Sequence, residues 1–405
     1  MKFNISNEVS LKELSEVVSI DGGYAFKSDE FVQNQTPIIR IGNIVDGNVE
    51  IDYNIGYDIK NINFEKYLIK NQDILIAMSG ATTGKLAIYR SNNDALLNQR
   101  VGRFKVIDEG TLDNNYLYYY LRSESVQNKI KIMASGCAQP NISPKQLLSI
   151  YIPIAALETQ KKIAHILEKG EKALEKRKEA IKLLDELVKS RFIEMFGSPA
   201  TNSKGWVVEE LSKCLINIEN GKSFVCENFS REGEYPAILK LSAVTCGTYN
   251  PSENKALTGE DLFVGSVEVK KGDLLFTRKN TPELVGMSAY VYETSPKLMM
   301  PDLIFRLNTN EKCNKVYLWK LINHDFFREN IKALSNGSAK SMSNISKERL
   351  MKLNIPLPPI ELQNQFEDFV KQVDKLKFKM EESLKELENN FNSLMQRAFK
   401  GELFN

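Results

Sequence analysis

Histidine is nearly missing from this chain: His165 and His324 are the only two among 405 residues, so histidine-based metal ligation or acid–base chemistry has almost no raw material. Cysteine is also sparse. The five residues Cys137, Cys214, Cys226, Cys246 and Cys313 are widely spaced and form no CxxC pair, which argues against a disulfide framework or a zinc site and fits a reducing compartment. No stretch approaches 18 uninterrupted apolar residues, and the opening MKFNISNEVSLKEL has no basic-then-apolar signal pattern. The expectation is a cytoplasmic protein that does not associate with membrane. Charge of one sign is lacking too. Lys+Arg 54 against Asp+Glu 52 leaves a net charge of +2, so any surface for a polyanion must be local. What is present is ordinary: 42% hydrophobic and 26% charged residues, the balance of a globular protein, in a chain long enough for two cores.

The chain repeats itself at about two hundred residues. Ile20-Asp-Gly-Gly-Tyr-Ala-Phe26 is echoed by Ile218-Glu-Asn-Gly-Lys-Ser-Phe224. The strand-like run Ile38-Ile-Arg-Ile-Gly-Asn-Ile44, closing at Gly47, is echoed by Ile238-Leu-Lys-Leu-Ser-Ala-Val244, closing at Gly247. A turn and buried strand follow at Asn71–Ile76 and Lys271–Phe276, then an aromatic helix at Tyr116–Leu121 and Tyr317–Ile322. Small-residue turns at Gly136 and Gly337 precede Asn141-Ile-Ser143 and Asn344-Ile-Ser346, and strands end at Ile152-Pro153 and Ile355-Pro356. Glu158 and Gln160 match Glu361 and Gln363 at one offset of 203. The frames agree while the loops differ.

After each Ile-Pro the apolar period becomes helical. Ile163, Leu167, Gly170, Leu174, Arg177, Ile181, Leu184 and Val188 alternate steps of four and three, as do Phe366, Phe369, Val373, Leu376, Met380, Leu384, Leu387, Phe391, Leu394 and Ala398, with one stutter at Met380 to Leu384. Each helix is roughly forty residues, about 60 Å long. A seam of this length needs a partner, and the other helix is the obvious one, as an antiparallel pair with the globular domains at opposite ends. The alternative is that each seam packs on its own domain, to which Arg177 on the seam lends some weight.

The ensemble resembles the specificity subunit of type I restriction-modification enzymes. It rests on Asp73-Ile-Leu-Ile76, Ser79-Gly80, Gly84, Asn98-Gln99-Arg100, Asn141-Ile-Ser143, Ile152-Pro153, the Glu-x-Gln elements and the heptad helices. The ending Phe399-Lys-Gly-Glu-Leu-Phe404 is also similar, with Gly401 placed to stop the helix. The second half departs from the pattern at Met300-Pro301-Asp302. The resemblance implies a mixed α/β fold with two target-recognition domains, 1–153 and 199–356, each reading half of a split double-stranded DNA site. Central and distal helices at 154–198 and 357–405 would form the coiled coil, set the spacing between half-sites and dock two modification subunits. S-adenosylmethionine, ATP and magnesium would belong to the modification and restriction subunits. This chain would then be a non-catalytic part of the restriction system, holding no cofactor.

Other chemistry is weakly represented. Ser79-Gly-Ala-Thr-Thr-Gly-Lys85 superficially resembles a phosphate-binding loop, but it is one residue short between the glycines and has Leu86 where Ser or Thr must hold magnesium. Asp261, Glu268 and Lys270 have the residue types of a metal-dependent nuclease, the rival reading, yet Val267 and Val269 alternate with them as on any half-buried strand. No Asn/Asp-Pro-Pro-aromatic motif of a methyltransferase is found. A coiled-coil scaffold without nucleic acid is the third reading; it leaves the divergent loops unexplained.

Arg, Lys, Asn and Gln make bidentate contacts with purine edges, while Ser and Thr donate to bases or phosphate. The candidate DNA-binding residues are Ser79, Thr82, Thr83, Lys85, Asn98, Gln99, Arg100 and Gln139 in the first domain, with Arg278, Lys279, Asn280, Lys340 and Ser341 in the second. Arg40 and Lys240 recur at matching positions, which suits a shared backbone-contact or structural role; Arg103 suits a strand salt bridge. Tyr116, Tyr118, Tyr119 and Tyr120 read as packing residues rather than base-stacking ones. Lys161 through Lys189 is interleaved with glutamates, as a solvated or partner-facing surface would be.

Overall fold

The computed structural model describes residues 9–45, 47–59, 64–135, 139–335 and 342–403. The chain divides into two compact units, Met1–Lys178 with Glu382–Asn405, and Glu179–Glu381, so the boundary falls inside both long helices. The landmarks at Gly136, Gly337 and Phe404 lie outside the described residues.

In the first unit, strands Val18–Gly22, Val101–Val106, Ile74–Ala77 and Leu86–Ile88 form one antiparallel sheet in that order. A second sheet sets Thr36–Ile39 parallel to Ala95–Leu97, flanked by Gly56–Tyr57 and Leu68–Ile69. Helix Asn114–Arg122, capped by the Asp113 carboxylate, packs four tyrosines into the core: Tyr116, Tyr118, Tyr119 and Tyr120 are all buried, as side chains on a sheet-covering helix must be. Strand Tyr151–Ile154 returns to pair with Ser10–Glu13.

The second unit repeats this plan by itself. Leu215–Asn220, Ile304–Thr309, Leu274–Thr277 and Ser288–Tyr290 form the first sheet in the same order, and Ala237–Leu239 runs parallel to Leu298–Met299 in the second. Helix Lys315–Asn323 has Asn314 as its cap, and Asn354–Leu357 closes on Val207–Glu210. Cys214 and Cys313, distant in sequence, are neighbouring free thiols in this core; their mutual hydrogen bond lowers the Cys214 pKa, and that bond together with burial raises the Cys313 pKa.

Hydrogen bonds carry the internal repeat into geometry. Gln160 Oε1 accepts from the Asp113 N–H at 3.0 Å, and its amide donates to the Thr111 and Ala155 carbonyls. Gln363 accepts from the Asn314 N–H at 2.8 Å and donates to Lys312 and Pro358. Tyr116 and Tyr317 each donate a hydroxyl to the carbonyl of the matching proline, Pro153 or Pro356. Arg103 lies between Asp21 and Asp73, and Arg306 between Glu219 and Asp273. The Arg103 salt bridge read from the sequence is therefore present.

Two sequence expectations need correction. The run from Ile38 to Ile44 is not one strand: it stops at Ile39, turns through the 3-10 segment Ile41–Asn43, and resumes at Ile44. The Asn43 side chain accepts the Arg40 N–H at 2.8 Å and donates to the Glu50 carbonyl, replacing ladder bonds with local ones. Likewise Glu268 and Lys270 are not on a regular strand but follow the 3-10 turn Gly265–Val267.

The long helices, Leu157–Phe196 and Ile360–Phe399, are each forty residues. Within the first unit Phe391 packs on Gly170 and Lys178 pairs with Glu388; within the second, Lys377 pairs with Asp185 and Phe366 meets Phe192. The pairing is antiparallel in both. The seams also join the globular cores: Ile163 and Leu167 in one, Val188, Phe192, Phe366 and Val373 in the other. Both readings of the seam thus hold at once. Its register differs at one place. Val370 is fully buried, whereas Leu376 is 49% exposed.

Candidate nucleic-acid interface

In the first unit, four chain segments converge where the strand Ile74–Ala77 runs out. The Met78 N–H donates to the Arg100 carbonyl at 2.9 Å, and the Met78 carbonyl accepts from Ile142 at 2.9 Å. Ser79 bridges to Asn141, and the Gly80 N–H donates to the Pro140 carbonyl, which also accepts the Thr83 hydroxyl at 3.0 Å. Gly80 has φ +79°, a conformation glycine takes without Cβ strain, and a Cβ there would stand 3.4 Å from Ile41. Loop 79–85, Asn98–Arg100 and the Gln139–Asn141 stretch are thereby brought to one edge beside Arg40. Gly84, at φ +87°, returns its N–H to the Ala77 carbonyl and sends the chain directly into strand Leu86–Ile88. No helix follows, so the segment lacks the helix N-terminus a phosphate-binding loop uses.

The tripeptide Asn141-Ile-Ser143 now has a physical role for each residue. Asn141 sits on the bridge to Ser79, Ile142 is buried, and Ser143 caps the next helix in a reciprocal arrangement with Gln146. Ile345 and Ser346 repeat the burial and the cap. Lys85, Gln99, Arg100 and Gln139 are exposed; Asn98 is half-buried, its N–H on the Ile39 carbonyl. Among the described residues, Ser79 Oγ and Thr82 Oγ1 are buried with no hydrogen-bond partner, as is Arg40 Nε.

The second unit places Arg278 where the first has Met78: its N–H donates to the Leu303 carbonyl and its own carbonyl accepts from Ile345. The Arg278 guanidinium lies 5.2 Å over the Phe305 ring and reaches the Asn344 side chain. Lys279 is half-buried, on a short ladder with Asn344, while Asn280 is buried and accepts the Thr281 N–H. Lys340 and Ser341 lie outside the described residues. The backbone also corrects the register between halves. Asn98 and Pro301 each crowd the glycine of the first turn, Gly23 or Gly221, and each accepts from the third residue on, so Asn98-Gln99-Arg100 is matched by Pro301-Asp302-Leu303, one residue later than the sequence suggests.

Sequence reasoning passed over Tyr24. It is 39% exposed and joined to this edge, its carbonyl accepting from Gln99 and its N–H donating to Leu97. The signal was available, because Lys222 replaces it in the second half of an otherwise repeated turn. Asp261, Glu268 and Lys270 do not present a shared site: the Glu268 carboxylate accepts the Lys297 N–H at 2.7 Å, while Asp261 and Lys270 are exposed. Among the described residues no group of three or more His, Cys, Asp or Glu side chains is arranged to hold a metal ion, and no helix is long and apolar enough to cross a membrane.

Two units with one frame and different polar edges define a duplicated recognition protein. The chain belongs to the family described as the type I restriction modification DNA specificity domain, whose model matches it twice, over residues 6–183 and 204–389. It is 24% identical over 418 residues to the EcoKI specificity subunit of Escherichia coli strain K12, covering 96% of this chain and 88% of that protein. A putative MjaX specificity subunit from Methanocaldococcus jannaschii is 26% identical over 84% of this chain and 80% of its own length. Against the EcoEI specificity subunit of Escherichia coli, 32% identity extends over 183 residues, 44% of this chain but only 31% of that protein. Among solved structures, the type I restriction-modification S subunit from M. genitalium shares the fold at TM-score 0.57 and 16% identity, over 98% of this chain and 99% of its own. A chain from a structure of complex assembly and conformational transition of the type I R-M system matches at TM-score 0.56 and 17% identity, over 99% and 100% of the two chains.

Proposed function

We propose that this chain is the sequence-reading subunit of a cytoplasmic type I restriction-modification complex, binding a split double-stranded DNA site with one unit on each half. The observation that carries this reading is the repetition of one hydrogen-bonded frame around two unlike polar edges, because two readers of different half-sites need the same scaffold and different contacts. In the first unit the reading edge is Ser79, Thr82, Thr83, Lys85, Asn98, Gln99, Arg100 and Gln139; in the second it includes Arg278, Lys279, Asn280, Lys340 and Ser341. The chain supplies address and no bond-breaking chemistry. S-adenosylmethionine, ATP and magnesium are held by two modification subunits and by restriction subunits. Leu183, Leu187, Leu376 and Phe378, large apolar side chains exposed on the long helices, support protein docking there.

Co-expression with a modification subunit, followed by single-molecule sequencing of host DNA for methylated bases, tests the reading. A split motif that appears only in the presence of this chain is the expected result. Methylation that is indifferent to the chain, in cells whose methyltransferase is active, overturns it.

A further inference from the structure

Arg40 and Lys240 occupy one place in the two frames: each directly follows the strand of the second sheet, and each carbonyl accepts from the third residue on, Asn43 or Ala243. Their surroundings differ. The Lys240 ammonium faces Glu253 at 3.7 Å, and Glu253 also accepts the Ser242 hydroxyl. The Arg40 guanidinium is half-buried, and among the described residues its Nε has no partner and the side chain makes no hydrogen bond or ion pair. The turn after Arg40, Ile41–Asn43, packs against Gly80–Thr82, where Ser79 Oγ and Thr82 Oγ1 are also buried and, among the described residues, unpaired. A desolvated guanidinium nitrogen left without an acceptor is costly, and a half-buried, unpaired guanidinium at this edge points to an acceptor-rich ligand for its remaining nitrogens.

Resting on the reading that the first unit binds double-stranded DNA, we propose that Arg40 is a specificity-determining residue of that unit, its two terminal nitrogens taking the O6 and N7 edge of a guanine, with Ser79 and Thr82, whose hydroxyls are buried, shaping the wall behind it. A phosphate anchor common to both units would keep its cation free in both; the second unit neutralises its own with Glu253. A contact present in only one unit is what distinguishes two half-sites. The guanidinium fork matches two acceptors on one base edge, which the point charge of lysine does not.

The full chain, co-expressed with its modification partner, is compared with Arg40→Ala, Arg40→Lys, Thr82→Val and Lys240→Ala by methylated-motif sequencing. Both Arg40 variants are expected to make one G·C position of one half-site degenerate, with discrimination there falling about tenfold or more, while the other half-site stays intact. Thr82→Val is expected to alter the same half-site, and Lys240→Ala to leave both unchanged. Methylation that declines evenly over an intact motif in Arg40→Ala identifies a backbone contact and overturns the proposal, as does a motif altered by Lys240→Ala. If Arg40→Ala does not accumulate, Arg40→Lys decides on the same readout. A wild-type control with no chain-dependent motif refutes the underlying DNA reading instead, so the two failures are distinguishable.

Discussion

A buried glutamine must find partners for both the oxygen and the nitrogen of its amide, and Gln160 and Gln363 do so in the same way, tying the start of each long helix to the loop before the aromatic helix. Replacing Gln160 with alanine strands the Asp113 N–H and two carbonyls, and the expected loss is about 2–4 kcal/mol, read as lower thermal stability with faster amide exchange in the first unit. The sequence shows that these glutamines recur. It does not show why, because the partner N–H lies 47 residues away for one and 49 for the other. Lys320 shows a different residue-scale effect. In the first unit, the matching Tyr119 donates its hydroxyl to Glu171. Lys320 instead lies with its Nζ 3.6 Å from the Trp319 ring centre, in the wall of a cavity of about 370 Å³. Burial, with Lys377 adding like charge, pushes its ammonium down to about 8 against the attraction of Asp374 and Asp185. The folded pKa is below the unfolded one, so stability rises between about pH 8 and the ordinary lysine value, and the protonated lysine is a liability below that window. Lys320→Met should therefore stabilise the second unit by roughly 1–2 kcal/mol at pH 7, with the gain shrinking as denaturation is repeated toward pH 10. A gain that does not change with pH would assign the effect to packing alone.

The long helices and their seams are legible from spacing alone, since a four-three alternation sustained over forty residues has few other meanings. Their register is not. The heptad count puts Leu376 on the seam, but the structure buries Val370 and turns Leu376 outward, with Lys377 reaching Asp185. The reason is competition for the stripe: near its start the second helix must cover the second unit's core as well as its partner, and Phe366 and Val370 fill that space. Phe366→Ala is expected to cost about 3–5 kcal/mol, whereas Leu376→Gln should change stability by less than about 0.5 kcal/mol; chemical denaturation of the two variants checks the register directly. The broken strand at Arg40 has the same kind of cause. The isoleucine-rich run Ile38, Ile39, Ile41 and Ile44 suggests an extended strand, but the Asn43 side chain captures the Arg40 N–H, an interaction hydropathy does not register.

At the scale of the whole molecule the duplication was legible from order and spacing. What spacing left open was which positions correspond, because loops of unequal length shift the count; the one-residue correction that pairs Asn98 with Pro301 came only from backbone hydrogen bonds and the close approach at Gly23 and Gly221. The correction matters for the second edge, since it sets Asp302 opposite Gln99 and Leu303 opposite Arg100, an acid and an apolar residue where the first unit has two exposed polar ones. The two edges therefore cannot read DNA through the same side chains even though the frame presenting them is shared. Exchanging residues 1–153 for the corresponding segment of another family member moves Leu11–Glu13 together with their partners Tyr151–Pro153 and leaves only the Ser10–Ile154 pair to form across the junction, so the exchanged unit retains its closure. In the co-expression system, one half of the methylated motif should change completely and the other half should be preserved base for base. If both halves change, the units are not independent readers and the modular account of the duplication fails.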